Sequence, residues 1–215
     1  MKLIQFKRNI KSGSIRHRLD IINIIISACE MIVSNQFLNL KDIDELEGNY
    51  PFILINSASR LYIFEDNKFF SVSFPFQISA EKSQVSFLNV PITSGILSIV
   101  SYVFKEFDER KSIVELIETM FDNEEYTSLL KDEQQIIEEL TLCLLSYETG
   151  YIRYDYDPEN YKKYKLNGKP NLHPLNHLDI NFTSNATYKF GIKNLMDIKE
   201  FLDCLSPTTD CWFFE

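Results

Sequence analysis

The spacing of apolar residues changes twice along this chain, and these two changes constrain the fold more than any other feature. Residues 52–92 show the partial alternation and the Phe, Val and Ser enrichment typical of β-strands. From Thr93 to about residue 150, apolar residues recur every three or four positions, as they do on amphipathic helices. Alternation returns at Tyr151 and continues to Ile192. Strands and helices that are grouped along a chain in this way predict an α+β fold.

The predicted elements define three subdivisions of one domain. Residues 1–92 contain a helix over about 15–35 and then an N-terminal antiparallel meander, and residues 93–150 are helical. Residues 151–215 contain a C-terminal three-stranded meander and a final helix over about 196–205. We therefore predict a single α+β domain over 1–215, with antiparallel sheet and segregated helices.

The chain is acidic overall, but its charge is unevenly distributed. It has 22 Lys+Arg and 31 Asp+Glu, a formal net charge of −9, which argues against non-specific binding to DNA or anionic lipid. Acidic residues concentrate between Glu106 and Glu139, which predicts solvated helix faces or, alternatively, a docking surface for a basic protein partner. The segment 158–172, predicted as a loop, is by contrast rich in lysine.

Cysteine usage indicates the compartment. The chain has four cysteines and no Cys-x-x-Cys motif, and Cys29 and Cys143 fall inside apolar helical patterns, where cysteine behaves as a small buried hydrophobe. This usage predicts a reducing, cytoplasmic environment. The N-terminus has no apolar core of a signal peptide, and the longest apolar stretch, 21–33, is interrupted by polar residues. We therefore expect no association with a membrane.

Two of the three histidines, His173 and His177, lie four residues apart in a His-Pro-Leu-Asn-His segment. Pro174 prevents a regular helix through this segment, so the pair differs from the helical His-Glu-x-x-His metal motif. We expect His173 to end a loop and His177 to begin a strand. If that strand pairs with 151–157, His173 lies at the rim of a sheet face that presents a polar set: Arg153, Asp155, His177, Asp179, Asn181 and Lys189.

Such a set of side chains predicts metal-independent cleavage of a phosphodiester. One histidine would accept a proton from the attacking hydroxyl or water, and the other would protonate the leaving oxygen. Arg153 or Lys189 would stabilise the charge on the phosphate, and Asp155 or Asp179 would orient an imidazole. The catalytic candidates are His173, His177, Asp155, Asp179 and Arg153. The substrate-binding candidates are Lys162, Lys163, Lys165, Lys189 and Asn181, where lysines would hold a single-stranded backbone.

Two other interpretations use the same residues. A metal site would take His173, His177 and either Asp155 or Asp179 as ligands, but their spacing matches no known ligand pattern, so we predict no metal. The polar residues would otherwise be only the solvated face of a strand. The sequence contains neither a phosphate-binding glycine loop nor a Gly-x-Ser-x-Gly motif, and we predict no cofactor.

The segment Arg153-Tyr-Asp-Tyr-Asp157 followed by His173-Pro-Leu-Asn-His-Leu178 resembles an uncharacterised bacterial family known as domain of unknown function 2290. More distantly, the histidine-rich turn is similar to that of TumE-type toxins of toxin–antitoxin pairs. The resemblance implies a bacterial defence setting, either anti-phage or toxin–antitoxin. It also implies a role for Arg153, Asp155, His173 and His177.

These observations lead to two hypotheses of function. In the first, the chain is an intracellular defence component whose Arg/Asp/His face cleaves a phosphodiester of RNA or a nucleotide. In the second, it is a non-catalytic adaptor or inhibitor whose acidic helices bind a basic protein partner in a defence complex. The histidine spacing favours the first hypothesis, and the net charge favours the second. Whether the chain is an enzyme, and its oligomeric state, stay open at this stage.

Overall fold

The computed structural model describes residues 3–7, 15, 17–45, 52–56, 59–107, 112–180 and 188–210, with 52–56 described by their backbone alone. The chain divides into two compact units. Unit 1 takes residues 1–5, 38–74 and 149–215, and unit 2 takes 6–37 and 75–148.

Most of the described strands belong to one eight-stranded sheet. Its strands are β1 Leu3–Phe6, β2 Phe37–Leu40, β3 Phe52–Asn56, β4 Arg60–Glu65, β5 Lys68–Ser73, β9 Ile152–Tyr156, β10 Asn176–Ile180 and β11 Tyr188–Ile192. Their order across the sheet is β11-β10-β9-β5-β4-β3-β1-β2. β3, β4 and β5 pair in succession as one antiparallel meander, and β9, β10 and β11 as another. β5 pairs with β9, also antiparallel, and so connects the two meanders.

One face of this sheet forms the hydrophobic core of unit 1. Side chains that alternate along β4, β5, β9 and β10 point to this face and pack against helix α7, Ile198–Cys204. At its centre, Phe201 of α7 lies edge-on to Tyr62 and Phe64, with ring centroids 6.2 Å apart in both pairs. Alternation sends the intervening residues of β9 and β10 to the opposite face, where the polar candidates lie.

Unit 2 combines a helical group with a small separate sheet. Its helices are α1 Arg18–Val33, α2 Ser94–Glu106, α3 Ile113–Phe121, α4 Glu124–Thr127 and α5 Lys131–Ser146. Its sheet contains β6 Gln77–Ser79, β7 Gln84–Phe87 and β8 Val90–Pro91. Arg18 donates hydrogen bonds to the carbonyl oxygens of Leu145 and Tyr147, which would otherwise lack partners at the end of α5. No helix among the described residues is long and apolar enough to cross a membrane.

The predicted fold class is confirmed: helices and antiparallel sheets are grouped along the chain, and β9, β10 and β11 form the C-terminal three-stranded meander. One prediction was wrong. The segment 158–172 contains helix α6, Pro158–Leu166, and a 3-10 turn, Pro170–Leu172. Asp157 caps α6 by accepting a hydrogen bond from the backbone N–H of Asn160, and Pro158 occupies the first helical position, where no N–H is needed.

Candidate functional site

Strand register brings five of the predicted residues together on one face of the sheet. Asp155 of β9 lies opposite His177 of β10, and Arg153 lies opposite Asp179. On the other side of β10, Asp179 lies opposite Lys189 of β11. Directly opposed side chains in antiparallel strands are close neighbours, so the register alone creates this polar cluster.

The cluster is buried, which the sequence did not predict. His177 is 1% exposed, Asp179 4% and Asp155 6%. The interpretation of this face as an ordinary solvated strand face is therefore wrong for these three residues. Ionisable groups are rarely buried without partners, since losing water around a charge costs several kcal/mol.

Each buried carboxylate has a cationic partner. Arg153 donates from Nε to Asp155 at 2.7 Å and from Nη2 to Asp179 at 2.5 Å, so one guanidinium bridges both carboxylates. Lys189 Nζ lies 3.5 Å from the second oxygen of Asp179. Burial raises the pKa of Asp155, but the hydrogen bond with His177 and the charges of Arg153 and Lys68 outweigh this effect and lower it. With two cations and two anions, the cluster is electrically balanced around His177.

The hydrogen bonds of His177 fix the position of one ring hydrogen. Its Nδ1 is 3.0 Å from the carbonyl oxygen of Pro174, which can only accept, so Nδ1 carries a hydrogen. Its Nε2 lies 2.9 Å from Lys189 Nζ and 3.4 Å from an oxygen of Asp155. A neutral ring accepts a hydrogen bond at Nε2 from the Lys189 ammonium, and a ring that carries a hydrogen at Nε2 as well donates it to Asp155.

His173 adjoins this cluster at its more exposed end. The rings of His173 and His177 lie 4.9 Å apart edge to face, and the other side of His173 stacks on Tyr164 of α6 at 5.6 Å. Its Nε2 is 2.8 Å from a carboxylate oxygen of Asp157. Burial raises the pKa of Asp157, but hydrogen bonds from Asn160 and His173 lower it to about 2. Asp157 is thus an anion at neutral pH and orients His173.

The segment after α6 covers the buried histidine. Gly191 of β11 lies opposite His177, and a Cβ atom added there would be 3.0 Å from Pro174 Cγ, so only glycine permits the observed approach. This contact holds the Pro174 carbonyl against His177 Nδ1.

The lysines of α6 lie outside the buried cluster. Lys162, Lys163 and Lys165 are exposed on a helix rather than on the predicted loop, and Lys165 Nζ lies 5.6 Å from the centre of the Tyr161 ring. They give the surface beside Tyr164 and His173 a positive charge in an acidic protein. Asn181, the remaining substrate-binding candidate, lies outside the described residues.

Lys189 of β11 lies on the polar face of the sheet, opposite Asp179, and its ammonium contacts both His177 and Asp179. The apolar residues that alternate with it, Tyr188 and Phe190, are 63% and 42% exposed. Because β11 is an edge strand, its apolar face extends beyond the core while its polar face meets the buried charges.

The metal hypothesis took His173, His177 and either Asp155 or Asp179 as ligands. The group whose ligand atoms lie within 4.8 Å of one another consists instead of Asp155, His177 and Asp179. However, Arg153 and Lys189 already occupy the space between them. A divalent cation would have to displace two positive side chains, so this arrangement does not fit a metal centre.

Two residues that contact His173 were not among the candidates predicted from the sequence. Asp157 pairs with His173, and Tyr164 stacks on it. The sequence contains two signals for Asp157. It alternates with Arg153 and Asp155 on one strand face, and it precedes Pro158 in a pattern typical of the start of a helix. Tyr164 gave no such signal, because its contact depends on a helix that was predicted as a loop.

The chain was also compared with known proteins. No family model, curated protein or solved structure matches it.

Proposed function

We propose that this chain cleaves a phosphodiester of RNA or a nucleotide without a metal ion, as a component of a bacterial defence module. The observation that carries the proposal is the contact between the rings of His173 and His177. Each ring is bonded at one nitrogen, to Asp157 or to the Pro174 carbonyl, and the Lys189 ammonium contacts His177. The defence setting comes from the sequence resemblance alone.

In this proposal His173 is the catalytic residue that touches the substrate. Its side chain is 18% exposed, whereas that of His177 is 1% exposed. Asp157 accepts the Nε2 hydrogen, so Nδ1 of the neutral ring is left with a lone pair. Among the described residues, Nδ1 of His173 has no hydrogen-bond partner, which leaves it available as a general base.

The buried residues act through Lys189. His177 accepts a hydrogen bond from the Lys189 ammonium and fixes its position, and Asp179 attracts the same group. Arg153 is occupied by two carboxylates, so it positions the cluster rather than binding phosphate. Lys189 is the cation that stabilises charge developing on the phosphate oxygens.

The chemical step balances with these groups. The 2′-hydroxyl of RNA gives its proton to His173 Nδ1, and the 2′-oxygen forms a bond to phosphorus. The bond from phosphorus to the 5′-oxygen breaks, and that oxygen takes a proton from the Lys189 ammonium. The products are a 2′,3′-cyclic phosphate and a 5′-hydroxyl end. Proton transfer from His173 to Lys189 through solvent restores both residues.

The experiment is cleavage of an end-labelled RNA and of the same sequence in single-stranded DNA, with EDTA present. We expect wild type to cut RNA but not DNA, because DNA lacks the attacking hydroxyl. His173→Ala should lower the rate at least about 100-fold, as loss of a general base does. His17→Ala, which removes a histidine of unit 2, is the matched control and should cleave RNA like wild type.

Absence of RNA cleavage by folded wild type would overturn the proposal. Undiminished cleavage by His173→Ala would do so as well. Cleavage of both RNA and DNA would contradict the role of the 2′-hydroxyl.

A second candidate function is favoured by the surface of unit 2. Large apolar side chains are exposed beside acidic residues of α3 and α5, including Val114 at 63% and Leu130 at 74%. Exposed apolar residues amid one sign of charge are typical of a surface that binds a protein. We propose a basic partner there, and salt-sensitive co-purification that Glu118→Lys abolishes would test it.

A further inference from the structure

A cavity of about 560 Å³ lies on the core face of the unit 1 sheet, away from the histidines. Its walls come from β5, β9, the segment 195–199 and Ile43. This volume is within the range of small-molecule sites, which are concave and mainly apolar.

The floor of the cavity is aromatic and has little freedom to move. Phe69 and Tyr154 lie with ring centroids 5.5 Å apart and are 8% and 1% exposed, and Met196 beside them is 2% exposed. The Tyr154 hydroxyl donates to Asn176 Oδ1 and accepts from the backbone N–H of Met196, both at 3.1 Å. Because this hydroxyl is satisfied, the floor offers a ligand apolar and π surface rather than an unpaired polar group.

The rim of the cavity is negatively charged. Asp66 and Asp197 lie on it, and both are exposed. Lys199, the lysine among the lining residues, forms an ion pair with Asp44 at 2.6 Å and also interacts with Asp197. Two aspartates against one lysine leave the opening with a net negative charge, so a ligand in this cavity meets aromatic rings below and an acidic opening.

We propose that this cavity binds a small aromatic cation, with its apolar body on Phe69 and Tyr154 and its protonated amine at Asp66 and Asp197. The carboxylates attract the amine, and Tyr156, also in the lining, adds a ring face that favours a cation. A neutral ligand of the same shape makes the apolar contacts with Phe69 and Tyr154 but is not attracted by the two carboxylates, so we expect it to bind more weakly.

The cavity is independent of the proposed cleavage site. Side chains alternate along β9, so Tyr154 and Tyr156 face the cavity while Arg153 and Asp155 face the cluster. Binding in the cavity should therefore not require His173.

The experiment is titration of the full chain with three probes of similar shape: tryptamine, its neutral alcohol analogue tryptophol, and the anion indole-3-acetate. We expect tryptamine to bind saturably and about fivefold more tightly than tryptophol, the ratio that weak exposed ion pairs provide. Indole-3-acetate should bind more weakly than both. In methyl NMR spectra, tryptamine should shift the signals of Ile43, Met196 and Ile198, which line the cavity.

Substitutions test whether the carboxylates of Asp66 and Asp197 bind the amine of the ligand. The double variant Asp66→Asn/Asp197→Asn should abolish the preference for tryptamine over tryptophol, and asparagine at 197 still caps α7. Asp203→Asn, an exposed aspartate of α7 outside the cavity, is the matched control and should keep the preference. His173→Ala should also keep it, which separates this proposal from the cleavage proposal.

Four results would overturn the inference. The first is no saturable binding of tryptamine to the folded chain, and the second is equal affinity for tryptamine and tryptophol. The third is a preference that survives in the double variant, and the fourth is binding that leaves the signals of Ile43, Met196 and Ile198 unchanged.

Discussion

Asp155 and Asp179 can be buried beside His177 only while positive groups compensate their charges. Arg153 is the main compensating group, because it contacts both carboxylates. One guanidinium bonds both carboxylates, and the planar fork of arginine suits this bridging in a way that a lysine ammonium does not. Removal of one member of a buried ion pair is costly because the remaining charge is left without compensation.

We therefore expect Arg153→Met to lower the free energy of unfolding by about 3 kcal/mol, since two buried carboxylates lose their shared partner. Urea denaturation at neutral pH measures this. Lys163→Met removes an exposed cation of α6 and is the matched control, with a change of less than about 0.5 kcal/mol. Equal stability of the two variants would show that the Arg153 bridge contributes nothing.

The low pKa of Asp157 makes stability depend on pH. Its pKa is about 2 in the folded protein, below the ordinary value of 3.8. The stabilisation is therefore fully present above about pH 4 and is lost as the pH falls toward 2. The stability advantage of wild type over Asp157→Asn should shrink across this window, because asparagine retains the helix cap but not the charge.

Urea denaturation of both proteins at pH 6 and at pH 2.5 provides the measurement. Asp203→Asn, which removes the charge of an exposed aspartate of α7, serves as the control, and its difference from wild type should not vary in this way. A constant difference between wild type and Asp157→Asn would contradict the lowered pKa of Asp157 that the hydrogen bonds of Asn160 and His173 produce.

At the scale of elements, the segment between α6 and β10 determines which histidine is accessible. Asp157 caps α6 with one carboxylate oxygen and holds His173 with the other, so the start of the helix and the orientation of the ring depend on one side chain. The Pro174 carbonyl fixes His177 beneath this segment. The close approach of Pro174 to Gly191 determines how near this segment lies to β11.

Gly191→Ala should displace Pro174, because the new Cβ atom would lie 3.0 Å from Pro174 Cγ. We expect a loss of about 1 kcal/mol in unfolding free energy and a shift of the His177 Nδ1 resonance as its bond to Pro174 lengthens. Gly95→Ala, where the added atom meets only Thr93 Oγ1 at 3.7 Å, should not destabilise the protein. An unchanged His177 resonance in Gly191→Ala would count against the role of this contact.

At the scale of the whole molecule, a net charge of −9 coexists with a local basic surface. An acidic protein repels RNA at long range, so the lysines of α6 must supply any electrostatic attraction to the backbone. The exposed acidic residues of unit 2 suit the basic protein partner proposed above and not RNA.

Replacement of Lys162 and Lys165 by alanine should weaken RNA binding and flatten its dependence on salt. Loss of two phosphate contacts predicts a slope of log affinity against log salt that is smaller by about 1.4 for a single strand. Fluorescence anisotropy with cleavage-deficient His173→Ala as the background measures the slope. Glu118→Ala/Glu125→Ala in unit 2 is the charge-altering control, and an equal effect on the slope would refute a specific basic surface.

Apolar periodicity was enough to predict the fold class and most of the strands of unit 1. Alternation along 151–157 and 177–182 depends only on which side chains are apolar, and it correctly placed Arg153 with Asp155 and His177 with Asp179 on shared strand faces. Three features follow only from long-range contacts: the burial of this face, the position of Arg153 and Lys189 among the carboxylates, and the contact of Tyr164 with His173. These features arise from contacts between segments far apart in the chain, and local periodicity contains no information about which segment will cover a polar strand face.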